Sequence, residues 1–126
     1  MPRTRPARRQ GLGRMGEEIA CRGLASRGLE IIERNYRCSA GEMDVVARAP
    51  GRWIFVEVKT RRGNRYGTAA EAVNARKQRK LIEVAETYMQ EHALVDVDWR
   101  IDVVAVDMDE QGRLLRTDVI ENAVSR

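Results

Sequence analysis

The chain has 126 residues, with 23 lysines and arginines against 19 acids and a formal charge of +4; this length fits one domain around one core and is too short for two. No apolar run approaches the roughly 20 residues needed to cross a bilayer, and the basic start MPRTRPARRQ leads into no apolar stretch of secretory type, so a cytoplasmic protein without a membrane partner is expected. One histidine, His92, and two cysteines, Cys21 and Cys38, exclude a His-rich zinc site and a disulfide framework, leaving carboxylates, lysine and a hard, oxygen-liking metal as the means for any hydrolysis.

Residues 1–11 are expected to form a flexible basic tail ahead of one domain spanning 12–126. Arg3, Arg5, Arg8, Arg9 and Arg14 stand in the first 15 residues without an acid. Such a tail suits sequence-independent phosphate contacts, and it suits mere solubility as well. Residues 12–27 read as a helix, with Leu12, Met15, Ile19 and Gly23 along one side, Ala20 and Leu24 adjoining it, and Gly28 placed to cap its end. Leu29–Tyr36 reads as a first strand, and Glu42–Arg48 and Arg52–Thr60 as a hairpin. Pro50-Gly51 at the centre of Ala49–Arg52 supplies the φ values of a type II turn.

A Gly- and Arg-rich loop is expected over Arg61–Gly67, and Thr68–Glu71 fits a capping box opening a short helical turn. Asn74 is a second N-cap, and a long helix then runs to about Glu91, burying Leu81, Val84, Ala85, Tyr88 and Met89. Trp99–Asp107 is a strongly apolar strand. A turn at Glu110-Gln111-Gly112 leads to a last strand over Leu114–Ile120. The order αβββαββ, with consecutive strands in the middle, predicts an α/β chain with a mixed sheet flanked by helices. Trp53, Trp99 and Tyr88 each sit in an apolar pattern and read as core.

The hairpin holds the chemistry. Pairing Ala49 with Arg52 and counting back places Asp44 opposite Glu57, their Cβ atoms roughly 4.5–5.5 Å apart on one face. Two carboxylates that close repel unless a proton or a cation lies between them. Lys59 emerges from the same face about 7 Å further along. An ordinary solvated ion pair accounts for a lone Glu-x-Lys. Here the acids are set among Val45, Val46, Trp53, Ile54, Phe55, Val56 and Val58, in strands where charge is expensive unless it is used.

With those residues in place, the sequence resembles the PD-(D/E)xK nuclease superfamily, through Asp44 followed by Glu57-Val58-Lys59, and more closely the YraN family of small bacterial proteins. The matching segments are Gly16-Glu17 with Ala20, Arg34-Asn35-Tyr36, Gly41-Glu42-Met43-Asp44, Phe55-Val56-Glu57-Val58-Lys59-Thr60-Arg61, Tyr66-Gly67, Glu71-Ala72-Val73, Arg76-Lys77-Gln78 and Arg100-Ile101-Asp102-Val103-Val104. They cover roughly residues 12–124. Met43 stands where the superfamily has proline. The resemblance implies a restriction-endonuclease-like core and a metal role for Glu17 on the first helix. A first-turn glutamate favoured by the helix dipole is the alternative for that residue.

On this reading Asp44, Glu57 and the Val58 carbonyl would hold Mg²⁺ or Mn²⁺ with help from Glu17, and Lys59 would orient the nucleophile and counter transition-state charge. Arg61, Arg62 and Arg65 could grip phosphates or simply be solvated, and Lys77 could reach the site from its helix. Arg100 and Asp102 look like a structural ion pair. The expected function is a metal-dependent endonuclease acting on DNA, branched DNA included. The alternatives are a non-catalytic nucleic-acid-binding module of the same fold and a protein-interaction adaptor. By resemblance a symmetric homodimer is also expected.

Overall fold

The first helix, α1 (Ala7–Ser26), starts before Leu12, so residues 7–11 belong to the helix that was expected to begin at residue 12. The computed structural model describes residues 7–63 and 73–124. The helix ends as expected at Gly28, whose φ is 89°. The Gly28 N–H donates to Ala25 O at 2.9 Å and the Leu29 N–H to Leu24 O at 3.2 Å, the pair of bonds that defines a Schellman motif.

Five strands follow the apolar alternation: β1 (Glu30–Cys38), β2 (Gly41–Ala49), β3 (Arg52–Arg62), β4 (Asp98–Met108) and β5 (Leu114–Ile120). They lie in the order β1-β2-β3-β4-β5, antiparallel except for the β3–β4 pair, which is parallel. Parallel neighbours need a crossover, and α2 (Ala75–Glu91) lies in that connection, with Asn74 as its N-cap accepting from the Lys77 N–H at 2.9 Å. Central strands are covered on both faces and so read as unbroken apolar runs; every residue from Ile101 to Met108 is buried. The Thr68–Glu71 turn and Arg65 lie outside the described residues.

Each helix covers one face of the sheet. Ala20, Cys21 and Leu24 of α1 pack on Val45, Ala47, Ile54, Val56, Val104 and Val106. Leu81, Val84, Ala85 and Tyr88 of α2 pack on Tyr36, Val46, Phe55, Ile101 and Val103. Tyr88 meets Tyr36 edge-on with ring centroids 5.0 Å apart, and Trp53 and Trp99 border the same cluster, so all three aromatics serve the core. His92 ends α2, its ring stacked on Tyr88 and its Nδ1 2.9 Å from Tyr88 O. Both cysteines are free. No helix among the described residues is long and apolar enough to cross a membrane.

The face α1 turns inward differs from the expected one. Met15 is 48% exposed, whereas Gly16 is buried. A Cβ on Gly16 would collide with the Thr60 hydroxyl and Cβ, so the closest approach of helix to sheet uses the residue without a side chain. Gly16→Ala is expected to destabilise the fold by about 1–2 kcal/mol: overpacking at such a contact costs about 1–3 kcal/mol, and the helix-propensity gain offsets about 1 kcal/mol. Urea titration should show the loss, and adding Thr60→Ala should recover part of it. An unchanged midpoint would mean that the contact is loose.

Candidate active site

The hairpin register holds as counted from Ala49↔Arg52 through Val45↔Val56, and there the ladder stops, one step short of Asp44 and Glu57. On the other side of β2 the register passes from Arg34↔Val45 to Tyr36↔Met43 without pairing Asn35 to Asp44. Asn35 has φ 55°, a left-handed conformation that asparagine tolerates better than most residues. Alternation slips at this point. Arg34 reaches the glutamates of α1, while Tyr36 enters the core under α2. Val45 packs with the α1 cluster and Met43 with the α2 cluster. Asp44 therefore sits at a break in the sheet.

Its carboxylate takes over the backbone's work there: Oδ2 accepts the Val58 N–H at 2.7 Å. Burial pushes the Asp44 carboxyl up to about 8, joined by the hydrogen bond and charge of Glu57 and by the charge of Glu17, against the opposing pull of the Val58 N–H. Each acid therefore raises the cost of ionising the other, and a cation near them would relieve it. Glu57 is 7% exposed, with Lys77 Nζ 3.0 Å from its Oε2. Lys77, expected to reach the site, does so as the countercharge of this acid. Gln78 turns away to donate to Val73 O at 3.1 Å.

Glu17 is half-buried, and Arg34 Nη2 lies 4.0 Å from its Oε2. It turns toward the sheet, acting on Asp44 through its charge, and Glu18 takes the exposed position with Arg22 and Arg34. Lys59 is exposed and by strand alternation shares the face of Glu57; no ion-pair partner for it is present among the described residues. Arg34 and Asn35, named in the sequence only as part of the matching segment Arg34-Asn35-Tyr36, are site residues to which no role was given there. An Asn inside an otherwise strand-like run was their available signal.

The basic loop is corrected. β3 runs on through Arg62 because Arg61 pairs in parallel register with Asp107. Its guanidinium meets that carboxylate at 2.7 and 3.0 Å, and the side chain is only 9% exposed. Asp107 is fully buried. Burial works to raise its carboxyl, but Arg61 and Arg116 outweigh this and hold it below the usual carboxylate range. Arg61 is thereby a structural cation, and Arg62 donates to Glu110 O at 3.0 Å. Arg61→Met should destabilise the fold by about 1–3 kcal/mol, since it removes the more buried of the two cations on Asp107 and leaves only the more exposed Arg116, 2.9 Å away, to offset a buried charge. Calorimetry should show the deficit at neutral pH, shrinking as pH falls and Asp107 is protonated. A loss below about 0.5 kcal/mol would make the pair a surface one. Arg100 and Asp102 are the expected structural pair, Nε to Oδ1 at 3.0 Å, with the Asn122 N–H also on that carboxylate at 2.8 Å.

The donors fit a hard divalent cation by chemistry: two carboxylates removed from water and pressed together, beside the backbone at Val58. Among the described residues, no three His, Cys, Asp or Glu side chains stand gathered as a ligand set. Asp44 and Glu57 would hold such an ion with the Val58 carbonyl, and Glu17 would act through water.

A mixed five-stranded sheet between two helices, in the order αβββαββ with the acids on its inner hairpin, is a restriction-endonuclease-like arrangement. The chain belongs to the family described as "Uncharacterised protein family UPF0102", whose model matches residues 16–106; this is the YraN family that the motifs resembled. It is 43% identical to a UPF0102 protein of Roseiflexus castenholzii over 93% of this chain and 95% of that one. It is 47% identical to one of Pelobacter propionicus over 80% and 74%, and 46% identical to one of Symbiobacterium thermophilum over 89% and 94%.

Proposed function

We propose that the chain is a divalent-metal-dependent nuclease that hydrolyses phosphodiester bonds of DNA, branched DNA included. The observation that carries this reading is the Asp44–Glu57 pair, half-buried and buried just beyond the end of the hairpin ladder, where Glu57 helps burial to push the Asp44 carboxyl up. A fold gains nothing in stability from two acids placed so, and a site that binds a cation does. A bound Mg²⁺ or Mn²⁺ supplies polarisation of a phosphodiester oxygen and a lower pKa for water. Asp44 and Glu57 bind it. Lys59, exposed on the same face, orients the attacking group and counters charge on the five-coordinate phosphorus.

A second reading draws on the Lys77–Glu57 contact, which neutralises one acid without a metal and suits a nucleic-acid-binding module that does not cut. The two separate in one assay. Branched, flapped and single-stranded DNA are incubated with Mg²⁺ or Mn²⁺ and wild-type, Asp44→Ala or Glu57→Ala protein. Cleavage lost in both variants supports the enzyme. Salt-dependent binding without cleavage by the wild type supports the module.

A further inference from the structure

Strand β5 ends the sheet. Its inner edge pairs with β4, and its outer edge meets no strand among the described residues. An open edge is a template for a further strand, and native proteins usually blunt it. β5 keeps one such device, a bulge at Leu115, the residue left over where Asp107↔Arg116 gives way to Met108↔Leu114, yet Leu114 and Leu115 are 50% and 55% exposed.

The sequence of this edge has a symmetry of its own. Leu115-Arg116-Thr117-Asp118-Val119 reads apolar, cation, threonine, anion, apolar, with unlike charges at mirrored places about Thr117. Two identical strands paired antiparallel about that residue set Arg116 opposite Asp118 of the partner subunit. The two threonines face each other across the axis, within the regular stretch Arg116–Ile120, and the bulge at Leu115 marks where that stretch begins. Opposite-charge cross-strand pairs are stabilising, and like charges directly opposite are destabilising. Neighbouring registers fare worse: centring on Arg116 or on Asp118 sets a charge against its own copy.

We propose that β5 is a homodimer interface, a second copy of this chain adding to the outer edge antiparallel and in register on Thr117. The axis then stands perpendicular to the sheet, giving one continuous ten-stranded sheet and an isologous contact. Arg116, 60% exposed, already meets Asp107 at 2.9 Å and Asp118 at 3.3 Å, so the interface adds to a charge network that the single chain holds in place. Such a rotation keeps both α2 faces on one side of the sheet. The inference rests on β5 alone and stands or falls independently of nuclease activity.

Sedimentation equilibrium of the full chain should give twice 14.4 kDa at high micromolar concentration. Thr117→Lys sets two ammonium groups face to face across the axis, and Asp118→Arg turns the unlike pairs into like ones. Each should weaken association at least about tenfold with an unchanged far-ultraviolet circular dichroism spectrum. Thr117→Cys should be joined to its copy by a short thiol-specific crosslinker, while wild type and Val95→Cys, at a site 76% exposed but distant in the fold, should not. A monomeric wild type, association undiminished in both charge variants, or failure of Thr117→Cys to crosslink would each overturn the pairing.

Discussion

Glu57→Ala is expected to lower Mg²⁺- or Mn²⁺-supported DNA cleavage by about 10³-fold or more, and Asp44→Ala by a similar factor. A single preorganised group facing developing charge is commonly worth about 10²–10³ in rate, and here each acid also holds the cation on which charge stabilisation depends. Because the acids act as one unit, the double variant should be little worse than either alone. Lys59→Ala should lose about 10²-fold, the value of one charged group near the transition state. Lys77→Met is the discriminating control. Its ammonium pairs with Glu57 at 3.0 Å, where it competes with a cation for the same oxygen, so its removal should change the rate by less than about tenfold and lower the metal concentration needed. A Lys59→Ala protein cutting at the wild-type rate would remove that residue from the mechanism. Undiminished cutting by Glu57→Ala would place the activity elsewhere.

What the sequence showed of the site was local. The Pro50-Gly51 turn fixed the hairpin register, and that register ran true up to Val45↔Val56. What it hid was where alternation fails. Strict period-two counting carried Asp44 into a regular ladder, but the left-handed backbone at Asn35 on the neighbouring strand lets the chain slip a face there. That break is why Asp44, and not a backbone carbonyl, accepts the Val58 N–H. Two other departures have the same origin. Arg61 and Arg62 read as loop because basic residues at a strand end usually are solvated; the acid that draws Arg61 into the sheet, Asp107, lies 46 residues on, in a strand whose parallel pairing nothing local announces. Met15 read as core because it is apolar, but the tightest helix–sheet approach needs a residue without a side chain, and Gly16 against Thr60 provides it. Periodicity describes one element at a time. These features belong to contacts between elements.

Asp44→Asn should make the metal-free protein more stable at pH 8, by about 2–3 kcal/mol. The Asp44 carboxyl is raised from its ordinary 3.8 to about 8 in the fold. Below pH 3.8 the folded and unfolded chains both hold the proton, so Asp44 is neutral to stability there. Between those values the unfolded chain releases it while the folded chain keeps it, and stability falls steadily as pH rises through the window. Each unit is worth about 1.4 kcal/mol. Part of the shift reflects the hydrogen bond with Glu57, a bond asparagine can still make, which leaves the smaller figure. Asparagine has nearly the same shape: its carbonyl can accept the Val58 N–H and its amide can donate to Glu57, without a charge to bury. Thermal unfolding should therefore place the variant about 8–12 °C above wild type at pH 8, given roughly 4 °C per kcal/mol at this chain length. The two should converge near pH 4. Adding Mg²⁺ or Mn²⁺ at pH 8 should raise the wild-type midpoint through binding to the folded state alone and leave the variant unmoved. A variant less stable than wild type at pH 8, or a gap that did not change with pH, would mean that the acids are not pressed together in the fold. A cation would then have no electrostatic reason to bind between them.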